Sequence, residues 1–147
     1  MLTDERTKRK TRTKRAPAAA PTTPPIDWAS VRPEVTDELL ADITRRIVER
    51  FHPEKVILFG SYAYGKPHLY SDVDLFVIME SDERIFERIR QVDEVARVPF
   101  LPMDVIVRTP EEVRQRLEMG DFFVAEILSR GKVLYERDGR VGREGRG

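Results

Sequence analysis

The sequence predicts an α/β domain in which a small central β-sheet is flanked by helices. Three observations carry this. Apolar residues recur at helical spacing between positions 34 and 50 and again between 85 and 96. Short continuous apolar runs stand beside them: Val56-Ile57-Leu58-Phe59, Leu75-Phe76-Val77-Ile78 and Val105-Ile106-Val107, each the length of a buried strand. The two kinds of segment alternate along the chain, which is the pattern of a layered α/β fold.

The 147 residues fit one domain with tails, here 1–25, 26–136 and 137–147. The first 25 residues hold seven Lys/Arg and two Asp/Glu, a net +5, so the rest must carry −5 to reach the formal charge of zero. Residues 1–15 are basic and 16–25 are rich in Ala, Thr and Pro, a composition expected to be disordered. No aromatic residues interleave with the basic ones, so a solubilising leader is favoured over a nucleic-acid arm. Residues 137–147 are charged and glycine-rich and are expected to fray.

Within the domain, Val35, Leu39, Leu40, Ile43, Ile47 and Phe51 form the stripe of a first helix over 34–50. Pro33 suits its first turn, and Pro53 closes it. A strand over 55–59 follows, then Gly60-Ser61 and a short helical turn. Asp72 to Met79 reads as the second strand. Ser81 is the expected cap of a helix whose inner face is Ile85, Ile89, Val92 and Ala96. Met103 to Val107 is the third strand. Thr109-Pro110-Glu111-Glu112 spells a capping box with proline at the first helical position. Helices over 110–118 and 121–129 end at Gly120 and Gly131, and Lys132 to Tyr135 adds an edge strand.

Composition excludes several kinds of chemistry. There are no cysteines, which removes disulfides, thiolate zinc sites and cysteine nucleophiles. No apolar run approaches the ~20 residues of a membrane-spanning helix, and no apolar segment follows the basic N-terminus. A soluble, cytoplasmic protein without a membrane partner is expected. The lack of asparagine and the 35% of charged residues fit a heat-adapted protein. Arg outnumbers Lys twenty to six, however, and a GC-rich genome produces the same bias.

The chemistry lies in Gly60-Ser61, ten further residues, then Asp72-Val73-Asp74. Side chains alternate along a strand, so Asp72 and Asp74 point to one face while Val73 enters the core. Two carboxylates this close repel and call for a cation, and Mg²⁺ favours carboxylates combined with substrate phosphates. Asp104 opens another apolar strand. If that strand is a neighbour, three carboxylates can hold two metals about 3.5–4 Å apart. Gly60 lets the backbone approach a phosphate, the turn aims N–H groups at anions, and the Ser61 hydroxyl adds a donor. Taken singly, Asp-x-Asp is usually a solvated turn and Gly-Ser means little; the combination points to a site. Lys66 and His68 stand near the cradle. Tyr62, Tyr64 and Tyr70 suit base stacking or packing.

Leu58-Phe59-Gly60-Ser61-Tyr62-Ala63-Tyr64-Gly65 and Ser71-Asp72-Val73-Asp74-Leu75 closely resemble the minimal nucleotidyltransferases (MNT domains) of the polymerase-β superfamily. The resemblance spans about residues 34–136. It implies a mixed-sheet α/β fold, two Mg²⁺ ions and ATP as nucleoside triphosphate. Gly60 and Ser61 would hold phosphate, Asp72 and Asp74 would bind metal, and Asp104 would complete a catalytic triad. Many members are antitoxins that transfer AMP to a tyrosine of a HEPN-type RNase toxin, and others have lost catalysis. Members often carry Arg at the position of Tyr64, so a basic phosphate contact is missing there, with Lys66 as its candidate replacement. Only 43 residues follow Asp104, which favours an acceptor that is itself the partner protein. Two alternatives stand beside the AMP-transferring antitoxin: a non-catalytic module that neutralises its partner by docking, and a nucleotidyltransferase acting on a small molecule or RNA. The sequence leaves oligomerisation open.

Overall fold

The computed structural model describes residues 31–65, 67–68 and 71–138. The tail over 1–25, Lys66, Tyr70 and most of the C-terminal tail lie outside the described residues.

The first helix, α1 (Asp37–Phe51), begins later than its apolar stripe suggests. Thr36 is the cap: its hydroxyl accepts from the Leu39 N–H at 3.0 Å, which leaves Pro33 ahead of the helix rather than inside it. His52 closes the helix in the left-handed region, at φ 50°, just before Pro53. β1 (Lys55–Phe59) leads into a helical turn, α2 (Ser61–Tyr64). β2 (Val73–Ile78) returns antiparallel to β1. α3 (Ile85–Ala96) then crosses over to β3 (Met103–Arg108), which lies parallel to β2. α4 (Pro110–Glu118) and α5 (Phe122–Arg130) follow, and β4 (Lys132–Glu136) pairs antiparallel with the free edge of β1. The sheet order is β3-β2-β1-β4, a mixed sheet as expected.

Alternation along the strands divides the core in two. On one face Val56, Leu58, Val73, Leu75, Val77, Val105 and Val107 pack with Leu40, Ile43 and Ile47 of α1 and with Val92 and Ala96 of α3. On the other, Ile57, Phe59, Phe76 and Ile78 pack with Val113 of α4 and with Val124 and Ile127 of α5. Burying each large side chain of this set contributes about 1.5–3 kcal/mol. Gly131 lets α5 turn into β4 close to the sheet: a Cβ there would meet Ile57 Cγ2 at 2.5 Å and collide with the Ile127 carbonyl.

Two local expectations fail in α3. Ser81 does not cap it; the Ser81 hydroxyl accepts from the Glu83 N–H at 3.0 Å, and Arg84 occupies the cap position without a side-chain bond. Ile85 is 39% exposed, whereas Arg88 is 6% exposed. The helix starts at Ile85, which places Arg88, Val92 and Ala96 on one inward line at i, i+4, i+8. Arg88 is satisfied there by Glu112: its two terminal nitrogens donate to the two carboxylate oxygens at 2.7 and 3.0 Å, and its Nε donates to the Glu83 carbonyl at 2.9 Å. Glu112 is also the closing residue of the capping box that starts α4, with both reciprocal bonds to Thr109 formed. One carboxylate thus caps α4 and ties it to α3. No described helix is long and apolar enough to cross a membrane.

Candidate active site

The candidate residues gather at one end of the sheet, on the face covered by α4 and α5. Asp74 lies in β2 beside Phe76 and Ile78, so by alternation it faces that side, while Val73 is fully buried in the opposite core. Asp74 stands opposite Asp104 in the parallel β2/β3 register and opposite Phe59 in the antiparallel β1/β2 register. The sequence left open whether the two aspartate-bearing strands are neighbours, and the register places them side by side. Asp72 sits one residue before β2, outside the strand expected to begin with it, and is exposed.

Gly60 abuts this cluster. Its φ is +79°, a region favourable only to glycine, and a Cβ added there would collide with Asp74 Oδ2 and lie 3.0 Å from Asp74 Cγ. The Gly60 carbonyl accepts from the Ala63 and Tyr64 N–H groups, both at 2.9 Å, which folds α2 over the end of β1. The amides that open such a turn have no partner inside it and are available to an anion. Ser61, half-buried, opens that turn.

Arg32, singled out by no sequence signal, braces the Gly60-Ser61 turn. Its guanidinium donates to the Tyr62 hydroxyl at 3.0 Å and to the Ser71 carbonyl, joining α2 to the loop that delivers Asp72. Ser71 is buried. Its hydroxyl accepts from the His68 N–H at 2.8 Å and its own N–H donates to the His68 carbonyl at 3.0 Å. Ser71 and His68 are therefore framework for the Asp72 loop. Tyr62 packs against the α1/α3 core. Tyr64 turns to the α5 side, where the Arg130 guanidinium lies 4.5 Å from its ring centre. Lys66, the candidate replacement for a missing phosphate contact, lies outside the described residues.

The electrostatics follow from this arrangement. The Asp74 carboxyl is pushed up to about 6, first by burial and then by the negative charges of Asp104 and Asp72. Among the described residues no three Asp, Glu or His side chains converge closely enough to hold a metal ion by themselves. The donor set nonetheless suits a hard divalent cation. It offers carboxylate oxygens alone, and a cation would relieve the repulsion that raises Asp74. Mg²⁺ keeps waters and binds through one or two carboxylates plus substrate phosphates, so an open carboxylate pair fits it.

Comparison with known proteins identifies the family and the fold. The nucleotidyltransferase domain family matches residues 40–134, from α1 into β4. A solved structure from Sulfolobus solfataricus, provisionally assigned as a nucleotidyltransferase, shares the fold. The TM-score is 0.52 at 21% identity, over 70% of this chain and 82% of that one. No curated protein matches the chain significantly. The family generally uses a nucleoside triphosphate and a divalent metal. With the matched segment running from α1 into β4, the chain belongs to the nucleotidyltransferase domain family of the polymerase-β superfamily.

Proposed function

We propose that this nucleotidyltransferase transfers AMP from ATP to a hydroxyl acceptor, a tyrosine of a HEPN-type RNase toxin, and so acts in the cytoplasm as an antitoxin. The observation that carries the transfer chemistry is the opposition of Asp74 and Asp104 across β2 and β3, with the Gly60 backbone against Asp74. The toxin partner rests on the resemblance alone.

In this reading Gly60 and Ser61 seat the triphosphate, and Asp72, Asp74 and Asp104 would hold two Mg²⁺ ions. Those ions, when bound, neutralise phosphate charge and make the attacking hydroxyl more acidic. The acceptor oxygen bonds to the α-phosphorus. The bond between that phosphorus and the α,β-bridging oxygen breaks, and pyrophosphate leaves with the electron pair. Asp104, exposed at the start of β3, takes the hydroxyl proton. The Gly60–Asp74 contact fixes the distance between the phosphate seat and the carboxylates.

The test is incubation with Mg²⁺ and ATP labelled at the α-phosphate, with and without a co-purified partner. Label on a partner tyrosine supports the proposal in full. Transfer that persists in the Asp72→Asn, Asp74→Asn double variant would sink it.

A second reading is favoured by the exposed Met119 and Phe122, at 76% and 89%, at the end of α4 and the start of α5. Here the chain silences its partner by docking. The same double variant would then still protect cells from the partner, and loss of protection would exclude this reading.

A further inference from the structure

α5 ends beside Tyr64, the last residue of the turn that opens at Gly60-Ser61, and brings a cation there. The Arg130 guanidinium carbon lies 4.5 Å from the centre of the Tyr64 ring. Tyr64 is the last residue of that turn, its N–H bonded to the Gly60 carbonyl, and its ring is packed against the core under α5. The Tyr64 hydroxyl is buried and makes no hydrogen bond among the described residues. Burial first, then the charges of Glu126 and Asp74, raise the phenol's pKa against the opposing pull of Arg130. The ring is therefore a packed platform beneath the Arg130 guanidinium.

The other partner of Arg130 is Glu126, one turn earlier on α5, at 2.9 Å, with the two side chains 55% and 46% exposed. A surface pair of this kind is weak and easily exchanged. A guanidinium stacked on an aromatic ring still presents an N–H edge, which matches two phosphate oxygens at once.

We propose that Arg130 is the phosphate clamp of this site: stacked on Tyr64, it exchanges Glu126 for β- and γ-phosphate oxygens of a nucleoside triphosphate seated on Gly60-Ser61. The inference rests on the nucleotidyltransferase reading above and adds to it a residue from the far side of the domain's sequence. It also makes the site selective for triphosphate over monophosphate.

The experiment is calorimetric titration of the full chain, with Mg²⁺, against the α,β-methylene analogue of ATP and, separately, against AMP. Arg130→Gln is expected to weaken analogue binding about tenfold or more, the size of one lost charge-assisted bond. AMP binding should stay within about twofold of wild type. Arg130→Lys, which keeps the charge but not the planar edge, should fall between the two. Analogue binding within about twofold of wild type in Arg130→Gln overturns the inference, and so does an equal loss for both ligands, which marks a merely structural role. If Arg130→Gln fails to fold by circular dichroism, Tyr64→Leu takes its place. That variant removes the platform and should weaken the analogue about threefold or more; unchanged binding overturns the proposal. A wild-type chain that binds neither ligand refutes the nucleotidyltransferase reading itself, which is a different result.

Discussion

Asp74 Oδ2 occupies the space where a side chain at Gly60 would stand, so the proposed phosphate seat and the central carboxylate touch through a missing Cβ. The positive φ of Gly60 disfavours any other residue independently. Gly60→Ala is therefore expected to destabilise the domain by about 1–3 kcal/mol and to abolish triphosphate binding. Urea denaturation and nucleotide titration check the two effects; a variant that keeps both properties would refute the close approach.

The raised Asp74 pKa has a consequence for stability. Its folded value, about 6, lies above the ordinary 3.8, so the folded state binds the proton more tightly than the unfolded chain. That contribution is fully present below pH 3.8 and is lost as pH rises through about 6. In metal-free protein, Asp74→Asn should thus be more stable than wild type at pH 8, by on the order of 1 kcal/mol after allowing for solvent screening. The gap should close near pH 4, and adding Mg²⁺ should narrow it at pH 8. Paired denaturation curves at the two pH values decide the matter; a gap independent of pH contradicts the raised Asp74 pKa, whose first cause is burial.

Asp104 is the proposed proton acceptor. Asp104→Asn should lower AMP transfer at least about 100-fold while nucleotide binding survives, because the proposed phosphate seat is the Gly60-Ser61 junction of β1 and α2. Single-turnover transfer together with analogue titration measures both, and transfer near the wild-type rate would remove Asp104 from the chemistry.

Arg88 and Glu112 are a structural pair, and their loss should be costly. Glu112→Gln leaves a buried guanidinium without its counter-charge and weakens the cap of α4; about 2–4 kcal/mol of destabilisation is expected. Arg88 holds the Glu112 carboxyl below its usual range, ahead of the opposing effect of burial and assisted by the Thr109 N–H. That contribution exists above pH 4.5 and disappears as pH falls through the lower folded value. The variant should therefore differ most from wild type at neutral pH and least in acid, which denaturant titrations across pH 3–7 would read.

Most of the fold was legible because its signals are local. The strands over Lys55–Phe59, Val73–Ile78 and Met103–Arg108 are short apolar runs, and the Thr109–Glu112 capping box is written in four residues. The misread places are those where a local signal had a competitor. Thr36 outranks Pro33 as the start of α1 because a hydroxyl supplies a bond to the helix and proline supplies none. Ile85 was assigned to the inner face of α3 by its hydrophobicity, but Arg88 takes that place because Glu112, 24 residues on, meets its donors.

By itself the sequence determined the chemistry available: Gly60-Ser61 after one strand, Asp72-Val73-Asp74 opening the next, and Asp104 opening a third. Spacing along a chain specifies which face a side chain takes within its own strand, because alternation is a local property. It does not specify which strands are neighbours. Only the tertiary structure decided that β2 and β3 lie parallel with Asp74 opposite Asp104, that Asp74 leans on Gly60, and that Arg130 arrives over Tyr64 from 66 residues away. Those contacts depend on the packing of α5 and the pairing of β3, which are settled by the whole core at once and leave no mark in any short stretch of sequence.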